Sequence, residues 1–233
     1  MSLLHLKQNT TSLAHTSAKK LLIMNQKGGV GKSTVVAGIT SHLLTQGYKV
    51  SLIDFDAQKS SHDWASPILK DRVTAYNPSF NSLSMLASKL SVHSDSDFVI
   101  IDSPSNFTLD DMTRYAYYVD GIIIPMAPSP VDLHASLPFI KTIIDSNLLT
   151  RRNISLSFIV NRCLENDERV DRVHHLLNHF RHFNILGRMS EDDKYQQAFY
   201  HKELVDLTVD KELWESAITW SHQLKCQRMQ RYQ

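Results

Sequence analysis

From residue 20 onward, short apolar runs alternate with amphipathic stretches. The runs are Leu21-Leu22-Ile23-Met24, Val50-Ser51-Leu52-Ile53, Phe98-Val99-Ile100-Ile101, Ile122-Ile123-Ile124 and Leu156-Ser157-Phe158-Ile159-Val160. Each has the length of a strand, and the first four are followed at once by Asp, Asn or Pro. Continuous apolar runs suit strands buried on both faces, as in a parallel sheet covered by helices. Between them, residues 32–46 place Val36, Ile39, Leu43 and Leu44 on one side of a helix. Residues 131–147 do the same with Leu133, Leu137, Ile140 and Ile144, and residues 167–182 with Val170, Val173, Leu177 and Phe180. Strand, helix and strand at this spacing predict right-handed crossovers. The expected fold is α/β, a doubly wound, mostly parallel sheet flanked by helices. No repeat, low-complexity tract or Pro/Gly-rich linker divides the chain, so residues 19–233 are read as one domain. Residues 1–18 are polar and without period, and are expected to form a flexible arm or an extra helix.

Composition narrows the function classes only a little. A length of 233 residues gives room for one α/β domain with a sizeable core. With 25 basic and 24 acidic residues, nothing draws the whole chain toward nucleic acid or membrane; such binding would need a local patch. Cys163 and Cys226 form no CxxC pair and no metal-type spacing, which predicts a reduced, cytoplasmic protein. No window approaches the roughly 20 apolar residues of a membrane span, and no long apolar signal region opens the chain, so export is not expected.

The strongest chemical signal is Asn25-Gln26-Lys27-Gly28-Gly29-Val30-Gly31-Lys32-Ser33-Thr34. A buried strand ends, a Gly-rich turn follows and a helix begins at Lys32. Gly28, Gly29 and Gly31 let the backbone curl so that successive N–H groups meet at one anion. The helix N-terminus adds partial positive charge. Lys32 supplies a point charge to the β- and γ-phosphates, and the Ser33 hydroxyl is placed to hold Mg²⁺. This is a P-loop for ATP with Mg²⁺, with Gly28, Gly29, Val30, Gly31, Lys32, Ser33 and Thr34 as the nucleotide-binding residues. The common pattern would require Gly at position 26, where this chain has Gln26. A turn that merely joins strand to helix would not bring two lysines and downstream acids into agreement.

The run from Lys27 to Ser33 resembles the deviant Walker A motif of the ParA/MinD family of ATPases. Within that family the chain is most similar to the small ParF-like plasmid-partition ParA proteins. The resemblance implies that Lys27 is a signature lysine reaching across a sandwich dimer to the partner's ATP, which would make dimerisation depend on ATP. Leu52-Ile53-Asp54-Phe55-Asp56-Ala57-Gln58 looks like the family's strand-plus-switch motif, with Ala57 where Pro is usual. By that match Asp54 lies beside the Mg²⁺ site and Asp56 orients or polarises the attacking water. Phe98-Val99-Ile100-Ile101-Asp102-Ser103-Pro104 resembles a Walker B strand, delivering Asp102 to the sheet's carboxyl edge to bind Mg²⁺ through water. The catalytic set is therefore Lys27, Lys32 and Asp56, and the metal set is Ser33, Asp54 and Asp102. The likeness continues through Asp63-Trp64, the segment 121–132 and Phe158-Ile159-Val160-Asn161-Arg162, spanning roughly residues 20 to 225. Asn161 has two readings: a contact to adenine, since an amide both donates and accepts, or a polar strand-ending residue. The loop 125–132 either frames the base or dimer interface, or is a Pro-stiffened turn.

Other features carry less. His175, His179 and His182 share a helical face, but His-Leu-Leu-Asn-His lacks the Glu of a zinc-protease helix, so a solvated face is expected. Leu213, Ala217, Trp220 and Leu224 form a stripe before Lys225, Arg228 and Arg231. Packing on the sheet is expected in place of membrane attachment. Lys19-Lys20, Arg151-Arg152 and the C-terminal basic residues are candidates for a DNA-facing patch, and DNA binding without sequence preference is implied by the resemblance alone. About 19 residues precede the first strand, too few for a helix-turn-helix module. The function implied is a ParA-type, nucleoid-associated ATPase, a homodimer when ATP-bound, stimulated by a small adaptor or centromere-binding protein and positioning plasmid, chromosome or protein cargo. The alternatives are a MinD-like membrane-cycling ATPase and a small-molecule P-loop phosphotransferase.

Overall fold

A computed structural model describes residues 9–76, 90–165, 167–177 and 183–225. In chain order the elements are β1 (Thr10–Ser12), β2 (Lys19–Ile23), α1 (Lys32–Thr45), β3 (Val50–Asp54), α2 (Ser60–Leu69), β4 (Val73–Ala75), β5 (Ser91–His93), β6 (Phe98–Asp102), α3 (Leu109–Ala116), β7 (Gly121–Met126), α4 (Pro130–Asp145), α5 (Leu148–Arg152), β8 (Ser155–Cys163), α6 (Glu168–Leu177), β9 (Asn184–Ser190), α7 (Asp193–His201) and α8 (Lys211–Gln223). Seven strands form one sheet in the order β4-β3-β6-β2-β7-β8-β9. Every pairing within it is parallel. All five apolar runs are strands of this sheet, so the expected fold class is the one observed.

Alternation along each strand divides the core in two. Leu22, Met24, Ile53, Val99, Ile101, Ile122, Ile124, Phe158 and Val160 join residues of α3, α4 and α6 in one cluster. Leu21, Ile23, Val50, Leu52, Phe98, Ile100, Ile123 and Ile159 join residues of α1, α2, α7 and α8 in the other. A period of two in a strand sends neighbouring side chains to opposite faces, so both faces bury apolar surface and both need helices. Strands β2, β3 and β6 lie in register, with Asp54 opposite Asp102 and Asp102 opposite Ile23. Their carboxyl ends therefore emerge together, at the place where open α/β sheets hold ligands.

The stripe of α8 is buried: Leu213, Trp214, Ala217, Trp220 and Leu224 belong to the second cluster. It packs so closely on α1 that a Cβ at Gly38 would stand 2.2 Å from the Trp214 ring. Arg228 and Arg231 lie outside the described residues, as do Cys226, Phe180, His179 and His182. Among the described residues, no helix is long and apolar enough to cross a membrane.

The sequence does not anticipate the structure of the N-terminal segment. Thr10–Ser12 pairs antiparallel with Ser91–His93, and Leu13, Ala14 and Ala18 are buried. Residues 9–18 thus contain a short strand, and the apolar side chains among their polar neighbours find a place against Leu90 and Val92. Lys20 departs from its expected place. It lies 3.3 Å from Asp120 with side-chain exposures of 1% and 0%, so it cannot face DNA. Lys19 is also engaged, donating from Nζ to the carbonyls of Ser221 and His222, and Arg152 stacks over the Tyr117 ring.

Candidate nucleotide site

The Gly-rich loop joins the end of β2 to the start of α1. Its entry is held by Asn25, which is fully buried. Asn25 Nδ2 donates to the Pro125 carbonyl at 2.9 Å and to Ser136 Oγ at 3.3 Å, while its Oδ1 accepts from the Lys27 amide at 3.0 Å. Gln26, the residue in place of the usual glycine, donates from Nε2 to the Phe107 carbonyl at 3.0 Å, and its main-chain carbonyl accepts from the Asn106 amide at 2.9 Å. The segment 125–132 thus braces the loop's entry, and Ser129 caps α4 by accepting from the Asp132 amide. Neither of the roles considered for this segment from sequence included that brace.

The exit of the loop depends on Gly31. Its φ of +87° lies in the left-handed region, and a Cβ there would sit 1.8 Å from Asn161 Nδ2. Only glycine meets both conditions. From Gly31 the chain turns into α1, whose N-terminus has no side-chain cap and no acidic residue in its first turn. The orphan N–H groups and the dipole of that turn are left for an external anion.

The two lysines take different places. Lys32 is 7% exposed, and its Nζ lies 3.5 Å from the Lys27 carbonyl. Burial lowers its pKa, while Asp102 and then Asp56 hold it up. Lys27 keeps 32% side-chain exposure and forms an ion pair with Asp132 at the start of α4.

The acids lie beside the loop. Asp102 is fully buried. Its Oδ2 accepts from Ser33 Oγ at 2.8 Å and from Ser61 Oγ at 2.6 Å, whereas its Oδ1 is buried with no hydrogen-bond partner. Burial, followed by the neighbouring Asp54 charge, pushes its pKa up to about 7; Ser61, Ser33 and Lys32 pull the other way. A buried carboxylate oxygen without a donor is costly. A hard divalent cation, which takes oxygen ligands, would satisfy it. Ser33 and Asp102 therefore fit a Mg²⁺ ion. Asp54 is arranged differently: its Oδ1 accepts from the Asp56 amide at 2.8 Å and its Oδ2 from the His62 amide at 2.9 Å. It organises the switch segment through both oxygens, and burial raises its pKa against those two bonds. Asp56 sits at the bend between, accepting from the Gln58 amide at 2.9 Å.

A cavity of about 300 Å³ opens next to the loop, lined by Thr34, Asn161, Arg162, Glu191, Tyr195 and Phe199 among others. Thr34 and Asn161 thus meet at one pocket, separated by 127 positions in the chain. Asn161 is 3% exposed. Its Nδ2 donates to the Val30 carbonyl at 2.8 Å and its Oδ1 accepts from the Arg162 amide at 2.8 Å. The side chain faces the loop backbone as well as the cavity, a role its strand-end position does not reveal.

Comparison with known proteins gives the family and the fold. The profile of the CobQ/CobB/MinD/ParA nucleotide binding domain, CbiA, matches residues 21–205. The chain belongs to that family. As a ParA/MinD-type chain it is 30% identical over 154 residues to the maintenance of carboxysome distribution protein A of Halothiobacillus neapolitanus, covering 64% of this chain and 69% of that one. Its fold is similar to that of a Cyanothece McdA variant solved in complex with ATP, with a TM-score of 0.65 and 17% identity over 93% of this chain and 100% of the other. It is also similar to a plasmid partition protein from Borrelia burgdorferi, with a TM-score of 0.60 and 19% identity over 88% of this chain and 100% of that one.

Proposed function

We propose that this ParA/MinD-type chain is a ParA-type ATPase that forms an ATP-dependent sandwich dimer, holds DNA without sequence preference and positions cargo in the cytoplasm. The observation that carries this reading is the division of labour between the lysines of one loop. Lys32 is buried beside Asp102 and Asp56. Lys27 stands at the rim, one-third exposed and paired with Asp132. A lysine at the rim can exchange its carboxylate for the phosphate of a second subunit.

In this reading the N–H groups of Gly28 to Thr34 cradle the phosphates and Lys32 offsets charge on the β- and γ-oxygens. Ser33 and Asp102 would hold Mg²⁺, with Asp54 beside the site, and the ion when bound would neutralise charge developing on those oxygens. Asp56 orients the attacking water. Its carboxylate accepts a hydrogen bond from water in line with the γ-phosphorus. Thr34 lines the base pocket, and Asn161 stands between that pocket and the loop. The cargo is of the kind handled by the relatives, a plasmid or a protein assembly, and an adaptor protein stimulates hydrolysis. Residues 19–233 act as one P-loop domain.

Gel retention tests the proposal. The full chain with ATP and Mg²⁺ should retain linear DNA of any sequence, lose it with ADP, and release it as salt rises. DNA retention that is absent, or equal with ATP and ADP, contradicts it.

A further inference from the structure

Ser61 stands outside every motif read from the sequence, yet it is fully buried and its hydroxyl lies 2.6 Å from Asp102 Oδ2. It occupies the first turn of α2, directly after the switch segment. A serine in a first turn usually turns its hydroxyl to the helix's own N–H groups. This one reaches a carboxylate 41 positions away. The next residue repeats the tie through the backbone, since the His62 amide donates to Asp54 Oδ2 at 2.9 Å. The first turn of α2 is thus fastened to both acids, which face each other across adjacent strands.

We propose that Ser61 is a positioning residue for metal-dependent nucleotide binding: its hydroxyl holds Asp102 by Oδ2, keeps Oδ1 available to Mg²⁺ and ties the switch helix to that carboxylate. The inference rests on the ATPase reading above and deepens it. A carboxylate accepts through both oxygens. Here two hydroxyls converge on one oxygen and the other has no partner. In a metal-loaded site the Ser33 hydroxyl would serve the cation. Ser61 then remains as the hydroxyl fixing Asp102, so its contribution is largest in the loaded state. A hydrogen bond to a charged group is among the stronger ones, and its loss should weaken Mg²⁺ binding by roughly tenfold.

The test uses the full chain with a fluorescent ADP analogue, titrated once in EDTA and once against rising Mg²⁺, together with Mn²⁺ binding followed by electron paramagnetic resonance. Ser61→Ala should leave affinity in EDTA within about twofold of wild type and raise the Mg²⁺ and Mn²⁺ midpoints about tenfold. Ser61→Thr, which keeps the hydroxyl, should stay near wild type. Ser61→Cys keeps the volume with a weak donor; it should follow Ser61→Ala and serves if the alanine variant fails to fold. Equal metal midpoints in wild type and Ser61→Ala overturn the inference while leaving the ATPase reading intact. An equal loss with and without metal also overturns it, because the role is then only structural. Wild type that binds the nucleotide neither with nor without Mg²⁺ refutes the ATPase reading itself.

Discussion

Replacing Asn161 by alanine separates two roles that one amide can play. The change removes the 2.8 Å donation to the Val30 carbonyl and the 2.8 Å acceptance from the Arg162 amide. Each backbone group left without its partner costs about 1–3 kcal/mol where no water replaces it. The adjoining cavity of about 300 Å³ is large enough to admit water, which places both groups at the low end of that range. The expected loss of stability is about 2 kcal/mol, and about half of it falls on the loop through Val30. One kcal/mol corresponds to about a fivefold weaker complex. Isothermal titration calorimetry with ATP, GTP and inorganic tripolyphosphate, each with Mg²⁺, reads the difference. If Asn161 clamps the loop, all three ligands weaken by the same factor. Asn161→Asp should be worse than alanine, because a carboxylate cannot donate to Val30 and adds negative charge near the phosphates. An affinity that falls for ATP while tripolyphosphate is unchanged would refute the clamp and make Asn161 a reader of the base.

Three further outcomes follow from the same structure. Gly38→Ala should destabilise the protein by about 1–3 kcal/mol in urea unfolding. The gain of helix propensity, about 1 kcal/mol, is outweighed because the new Cβ meets the buried Trp214 ring at 2.2 Å; an equal or higher midpoint contradicts that packing. Asp132→Ala frees Lys27 from its ion pair and should lower the ATP concentration needed for dimerisation by about fivefold, a gain of the order expected from removing a competing, partly exposed pair; light scattering at stepped ATP gives the answer, and an unchanged midpoint counts against competition for Lys27. Burial pushes the Cys163 thiol up to about 11, so its thiolate fraction at pH 8 is about one in a thousand. In a Cys226→Ser background, iodoacetamide should label native protein at least about a hundredfold more slowly than protein in urea. The folded value lies above the unfolded one, so this group's stabilisation is present below pH 9 and is lost as pH rises toward 11. Native labelling as fast as in urea would show that the thiol is not buried.

What could be read from the sequence was local. The five apolar runs betray strands because a parallel sheet covered on both faces needs no polar alternation. β9 leaves no such run: it carries Gly187 and Arg188, lies at a sheet edge and is buried at only two of its seven positions. β1, β4 and β5 have three residues each, too few to show a period. The phosphate loop was legible because glycines, lysine and serine lie within ten positions of one another. Asn161, Ser61 and Asp132 act across long stretches of chain, which spacing cannot register. Asn25 and Gln26 were visible as motif members, but their work of bracing the loop against Pro125 and Phe107 emerges only once β7 and the segment before α3 are in place.

In the proposed function this loop couples a triphosphate to self-association through Lys27. Sedimentation velocity of the full chain with Mg²⁺ and either ATP or ADP, for wild type and Lys27→Ala, tests it most directly. Wild type with ATP should sediment as a dimer, and the other three samples as monomers. A wild-type chain that remains monomeric with saturating ATP, or a Lys27→Ala chain that dimerises as well as wild type, contradicts it.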